Sequence, residues 1–171
     1  MKANETKVDK FLATNETTFA IPVYQRNYDW TLFQCKQLLH DIIETGKNDK
    51  TNAHFIGSIV YVHDDVYTAS GLTELTIIDG QQRLTTITLI YIALYRLAKE
   101  LDNQMLVNRI QKTYLINEFA PEEEKLKLKP TENNKEALRH ILNSTDGEEF
   151  KGYSKIIENF DYFRSAINAE N

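Results

Sequence analysis

Hydrophobic and polar positions change period several times along this chain, and each change marks an element. A short first helix is predicted over 8–14. Thr17-Thr18-Phe19-Ala20-Ile21 is β-rich and stops at Pro22, which has no amide hydrogen for a ladder, so a strand runs into a loop. Leu32, Cys35, Leu38, Leu39, Ile42 and Ile43 then recur at helical spacing, behind a Thr31/Gln34 capping-box pair and ahead of Gly46. This predicts a helix over about 31–45. A polar loop over 47–52 leads to a β-branched, aromatic strand over 54–63, interrupted at Gly57-Ser58, where glycine marks a bulge or a close approach to the backbone.

Turns near Asp64-Asp65 and Ser70-Gly71 precede a second strand over 75–78, which ends at Asp79-Gly80. Leu84, Ile87, Tyr91, Leu94, Ala98 and Leu101 share one helical face, and Leu89, Ile90, Ile92 and Leu97 fill much of the rest, the pattern of a central, buried helix. A further helix over 104–118 stops before Pro121. Lys125-Leu126-Lys127-Leu128-Lys129 alternates like a half-exposed strand, with the three lysines forming a basic stripe. Helices over 131–142 and 153–168 complete the chain. The expected fold is α+β: a small mixed sheet packed with helices, with a helical C-terminal part.

Composition narrows the class. A chain of 171 residues, 42% of them hydrophobic, can bury enough surface to fold without a staple. The lone Cys35 excludes an internal disulfide and sits on an apolar helix face, so it reads as a buried structural thiol. With no secretory signal and no apolar run of spanning length, a cytoplasmic, membrane-free protein is expected. The formal net charge of −5 is the wrong sign for coating nucleic acid by bulk attraction, so an anionic partner must meet a local site.

Two stretches carry chemistry. In Ile77-Ile78-Asp79-Gly80-Gln81-Gln82-Arg83-Leu84-Thr85-Thr86 a strand turns on glycine into the buried helix. The first amides of a helix lack internal partners and attract anions; Gly80 lets a phosphate approach the backbone, and Arg83 adds a fork matched to phosphate oxygens. Gln81 and Gln82 offer donors and acceptors. Asp79 opposes a bare anion, so its expected role is to hold a divalent cation or a water beside phosphate. The structural alternative makes Asp79 a cap, Gly80 a turn residue and Arg83 a surface charge.

The second stretch, Ile21-Pro22-Val23-Tyr24-Gln25-Arg26-Asn27-Tyr28-Asp29-Trp30, sets three aromatics, a glutamine and an arginine in a strand-to-helix loop. Tyr24 and Tyr28 can stack on a base or hold the loop down, Trp30 reads as a hydrophobic staple, and Arg26 complements phosphate. His54 lies near this region but reads as a surface residue, whereas Ser58, beside Gly57, is the better pocket candidate.

Taken in order, the Pro22-x-Tyr24-Gln25-Arg26-x-Tyr28-x-Trp30, Phe55-x-Gly57-Ser58-Ile59-Val60 and Ile78-Asp79-Gly80-Gln81-Gln82-Arg83-Leu84-Thr85-Thr86 stretches resemble the N-terminal domain of GmrSD-type, modification-dependent restriction enzymes. The resemblance covers roughly 7–142. It implies a ParB/sulfiredoxin-like fold and a nucleotide-dependent anti-phage module, in which triphosphate hydrolysis is coupled to recognition or cutting of foreign DNA. On that analogy Asp79, Gln81, Gln82 and Arg83 are the catalytic candidates, Asp79 is the metal ligand for Mg2+ carried with a nucleoside triphosphate, and Tyr24, Gln25, Arg26, Tyr28, Ser58, Gly80 and Arg83 contact the nucleotide. Implied partners are a nucleotide, double-stranded DNA, and a C-terminal nuclease domain of His-Asn-His type or a separate nuclease subunit. His40, His54, His63 and His140 have no metal-ligand spacing, so that nuclease chemistry is not expected here. The expected division is a ParB-like nucleotide-binding domain over 1–142 and a helical segment over 143–171 that begins a truncated region. Rival readings are a non-enzymatic DNA-binding or partner-docking module and a ParB-like DNA-nicking domain. All of them require the Gln25-Arg26 and Gln82-Arg83 pairs to converge.

Overall fold

A computed structural model describes residues 4–50, 53–63, 71–144 and 148–169. Helix α1 (Val8–Leu12) leads into β1 (Thr17–Ala20), α2 (Leu32–Lys47), β2 (Val60–His63), β3 (Thr73–Asp79) and α3 (Gln81–Glu100). Then come α4 (Gln104–Ile110), a π-helical turn (Gln111–Leu115), a 3-10 turn (Glu122–Glu124), β4 (Leu128–Lys129), α5 (Glu132–Asn143) and α6 (Lys155–Ala166). The fold is α+β, as the periodicity predicts. Four strands form one mixed sheet in the order β2-β3-β1-β4, with β1 parallel to β3 and β4 and β2 antiparallel to β3. The parallel β1–β3 pair needs a long crossover, and α2 and β2 lie within it. Part of that crossover, including the turns expected near 64–65 and at Ser70, falls outside the described residues.

Helix α3 is the axis of the core. Leu84, Leu89, Ile92, Ala93 and Ala98 are buried on it, and it packs against both α4 and α6. Burial all round is what its nearly continuous apolar pattern requires. The last helix joins the same core: Ile156 and Phe163 of α6 are fully buried. Cys35 is buried with Leu38 and Leu39 on α2, as its helical spacing implies. The capping box forms as predicted, with Gln34 accepting from the Thr31 amide. Gly46 does not close that helix, which runs on to Lys47.

Three expectations fail locally, each for a packing reason. The strand predicted over 54–63 is confined to Val60–His63, because Gly57 takes a left-handed φ of 105° and the segment before β2 is committed to contacts with α3. The helix predicted over 104–118 keeps α geometry only to Ile110 and then widens into the π turn. The lysine stripe does not exist. Lys127 is only 2% exposed, and its ammonium donates to the carbonyls of Leu12 (3.1 Å), Thr14 (2.8 Å) and Thr113 (2.7 Å). One of those carbonyls belongs to the π turn. Burial pushes the Lys127 amine down to about 8. Among the described residues, no helix is long and apolar enough to cross a membrane.

Candidate functional site

The strand-to-helix turn is built by glycine. Gly80 is the N-cap of α3 with φ 91°, a conformation that lets β3 turn at once into the helix, and no side chain caps the first turn. The first intrahelical amide is that of Leu84, which donates to the Gly80 carbonyl at 3.0 Å. The amides of Gln81, Gln82 and Arg83 are therefore the orphan donors of a 20-residue helix.

A polar cleft of about 180 Å³ lies over that terminus, lined by Gln25, Arg26, Trp30, Asp79, Gly80, Gln81, Gln82 and Arg83. The two Gln-Arg stretches thus meet in one cleft. Their glutamines make the junction: Gln81 Nε2 donates to Gln25 Oε1 (3.1 Å), and Gln25 Nε2 donates to the Ile78 carbonyl (3.0 Å). Gln82 is spent on structure, accepting from the Asp29 amide and donating to the Asn27 carbonyl, both at 3.0 Å. It pins the Pro22–Trp30 loop to α3. Gln81 keeps its carbonyl oxygen without a partner among the described residues.

Arg83 is held from the far side. Its Nη1 donates to the Ser58 carbonyl at 2.6 Å, and its guanidinium lies over Gly57, where an added Cβ would stand 2.5 Å from Nη1. Gly80 is also closely packed, since a Cβ there would come within 2.9 Å of the Ser58 carbonyl oxygen. The Phe55-x-Gly57-Ser58 stretch is thus the seat on which the turn rests. Ser58 takes part through its carbonyl and is not among the residues lining the cleft.

The remaining candidates divide. Arg26 lines the cleft from an exposed position, in a 3.2 Å ion pair with Asp29. Asp79 pairs with Val60 at the end of β3, and its exposed carboxylate makes no hydrogen bond or ion pair among the described residues. Tyr24 is 73% exposed beside the cleft and does not line it. Tyr28 turns inward: it is buried, its hydroxyl 2.8 Å from Thr86 Oγ1 and 3.5 Å from Cys35 Sγ. Burial pushes the Tyr28 hydroxyl and the Cys35 thiol up, so both stay neutral. His54 faces Asp41 at 3.6 Å, away from the cleft. Trp30 packs against the core and also lines the cleft.

Sequence reading misses Asn159. It is fully buried on α6, and its Nδ2 donates to the Tyr28 hydroxyl (3.0 Å) and the Trp30 carbonyl (2.8 Å). The available signal is an asparagine on the apolar face formed by Ile156, Phe160 and Phe163.

In this α+β domain an open helix N-terminus, two arginines and a carboxylate line one polar cleft, an arrangement whose chemistry suits an anion. The family of the GmrSD restriction endonuclease N-terminal domain matches residues 8–171, nearly the whole chain, and the chain belongs to that family. It is accordingly a module of a restriction, and hence defence, protein. No curated protein matches the chain.

Proposed function

We propose that the cleft binds the phosphate chain of a nucleoside triphosphate with Mg2+, and that hydrolysis there is coupled to restriction of DNA by a nuclease domain or subunit. The carrying observation is the convergence of Gln25, Arg26, Gln81, Gln82 and Arg83 on the open N-terminus of α3. At about 180 Å³ the cleft is smaller than the roughly 300–1,000 Å³ of pockets that enclose whole small molecules. Phosphates fit it, and the base and sugar then lie outside, within reach of exposed Tyr24.

In this reading the amides of Gln81 to Arg83 and the uncommitted guanidinium donors of Arg83 hold the phosphate oxygens. Arg26 leaves its exposed pair with Asp29, a small cost, to neutralise further charge. Gln81, with its free carbonyl oxygen, orients the attacking water, while Gln82 keeps the loop in place. Asp79 fits magnesium: a lone unpaired carboxylate suits an ion that takes its other ligands from water and phosphate. Among the described residues no group of three metal-ligating side chains offers a closed cage. Magnesium, when bound, neutralises phosphate charge.

Calorimetric titration with each of the four common nucleoside triphosphates and Mg2+ tests the reading. At least one should bind, and Arg83→Ala should abolish binding while the thermal melt stays cooperative. Failure of all four to bind the wild-type chain would remove it.

A further inference from the structure

The cleft is wired to the last helix through the core. Asn159 Nδ2 lies 2.8 Å from the Trp30 carbonyl, which can only accept, so the amide orientation of Asn159 is fixed and the same nitrogen donates to the Tyr28 hydroxyl at 3.0 Å. Thr86 Oγ1 donates its single proton to the Gln82 carbonyl at 2.8 Å and must therefore accept at its 2.8 Å contact with Tyr28. Direction follows at every link. Protons point from Asn159 to Tyr28, from Tyr28 to Thr86, and from Thr86 to the Gln82 carbonyl.

That carbonyl shares a peptide unit with the Arg83 amide, one of the three orphan donors at the cleft. A donor on the oxygen of a peptide draws electron density from its N–H, and chains of hydrogen bonds polarise one another in a low dielectric. We infer that Asn159, acting through Tyr28 and Thr86, is a positioning residue for the phosphate site: it strengthens the Arg83 amide as an anion donor and ties α6 to the occupancy of the cleft. The buried Asn159 Oδ1, which has no partner among the described residues, is a cost that a leucine or alanine would avoid. The inference rests on the proposed reading of the cleft only for the identity of the anion.

Tyr28→Phe cuts the middle link while keeping the ring and the Asn159–Trp30 bond, and Thr86→Val cuts the last link if Tyr28→Phe fails to fold. Ser154→Ala is the control, since it weakens the α6 cap, where the Ser154 hydroxyl oxygen accepts from Ile156, without touching the relay. The full chain is read by amide NMR and by titration with a nucleoside triphosphate and Mg2+. The Arg83 amide proton should move upfield in Tyr28→Phe and Asn159→Ala but not in Ser154→Ala, and triphosphate affinity should fall about three- to tenfold in the first two alone. An Arg83 resonance unchanged by Tyr28→Phe overturns the relay. A shifted resonance in a chain whose wild type binds no triphosphate keeps the relay and removes the nucleotide reading.

Discussion

Arg83 lies flat on Gly57, closely enough that a single added methyl group would stand 2.5 Å from its Nη1. The hydrogen bond to the neighbouring Ser58 carbonyl holds the guanidinium there with one donor, and Arg83 lines the cleft from that seat. The glycine of one motif and the arginine of another are thus two halves of one fitting, 26 positions apart in sequence.

Gly57→Ala tests that fitting. The new Cβ forces the guanidinium away, and the left-handed φ of 105° adds strain of about 1–3 kcal/mol for a non-glycine residue. Arg83 is partly exposed and has room to swing outward, so the expected result is a folded chain that has lost most of its triphosphate affinity. Paired calorimetry and thermal melts check this. Binding at wild-type strength would show that the seat is irrelevant to the site.

The two adjacent glutamines should separate cleanly. Gln82 is buried with both ends of its amide bonded to loop backbone, so Gln82→Ala leaves the Asp29 amide and the Asn27 carbonyl unpaired and costs about 1–3 kcal/mol of stability. Gln81 is buried as well but has one bond, to another side chain at the cleft, so Gln81→Ala should lower the hydrolysis rate and cost less stability than Gln82→Ala. Urea unfolding and phosphate-release rates on both variants decide it. Equal stability losses would refute the division of labour.

Asp79→Asn removes charge from a side chain that holds nothing else in place among the described residues. Its melting temperature should equal or fall slightly below that of wild type, since the carboxylate stands beside the electropositive first turn of α3. Magnesium should then cease to strengthen triphosphate binding. A titration repeated with and without Mg2+ measures the difference, and retained magnesium dependence would take Asp79 out of the metal role.

The parts of the site legible in the sequence are those where backbone and composition act locally. Gly80 followed by uncapped helix, and Thr31 with Gln34, are short-range patterns that survive folding unchanged. Convergence of the Gln25-Arg26 and Gln82-Arg83 pairs follows from both stretches sitting between a strand end and a helix start. Tyr28 and Asn159 escape because their roles arise across 131 positions of chain, where no periodicity operates. Alternation likewise misplaces Lys127, since β4 spans only Leu128–Lys129 and a two-step period has no hold on the residue before it. Three carbonyls that needed a donor set its direction instead.

Lys127 also gives the fold a pH signature. Its amine titrates near 8 in the native chain because burial disfavours the charge, against an ordinary value of about 10.4 when unfolded. Between those values the unfolded chain binds more protons than the native one, so stability from this group rises with pH through that window and is flat below it. Linkage then gives a rise of about 2 kcal/mol from pH 8 to pH 10. Lys127→Met should be less stable at neutral pH, because three carbonyls lose their donor, and should lack this rise. Urea midpoints at pH 7, 8, 9 and 10 for both chains give the comparison; parallel profiles would mean that the amine keeps its ordinary proton affinity and that solvent reaches it.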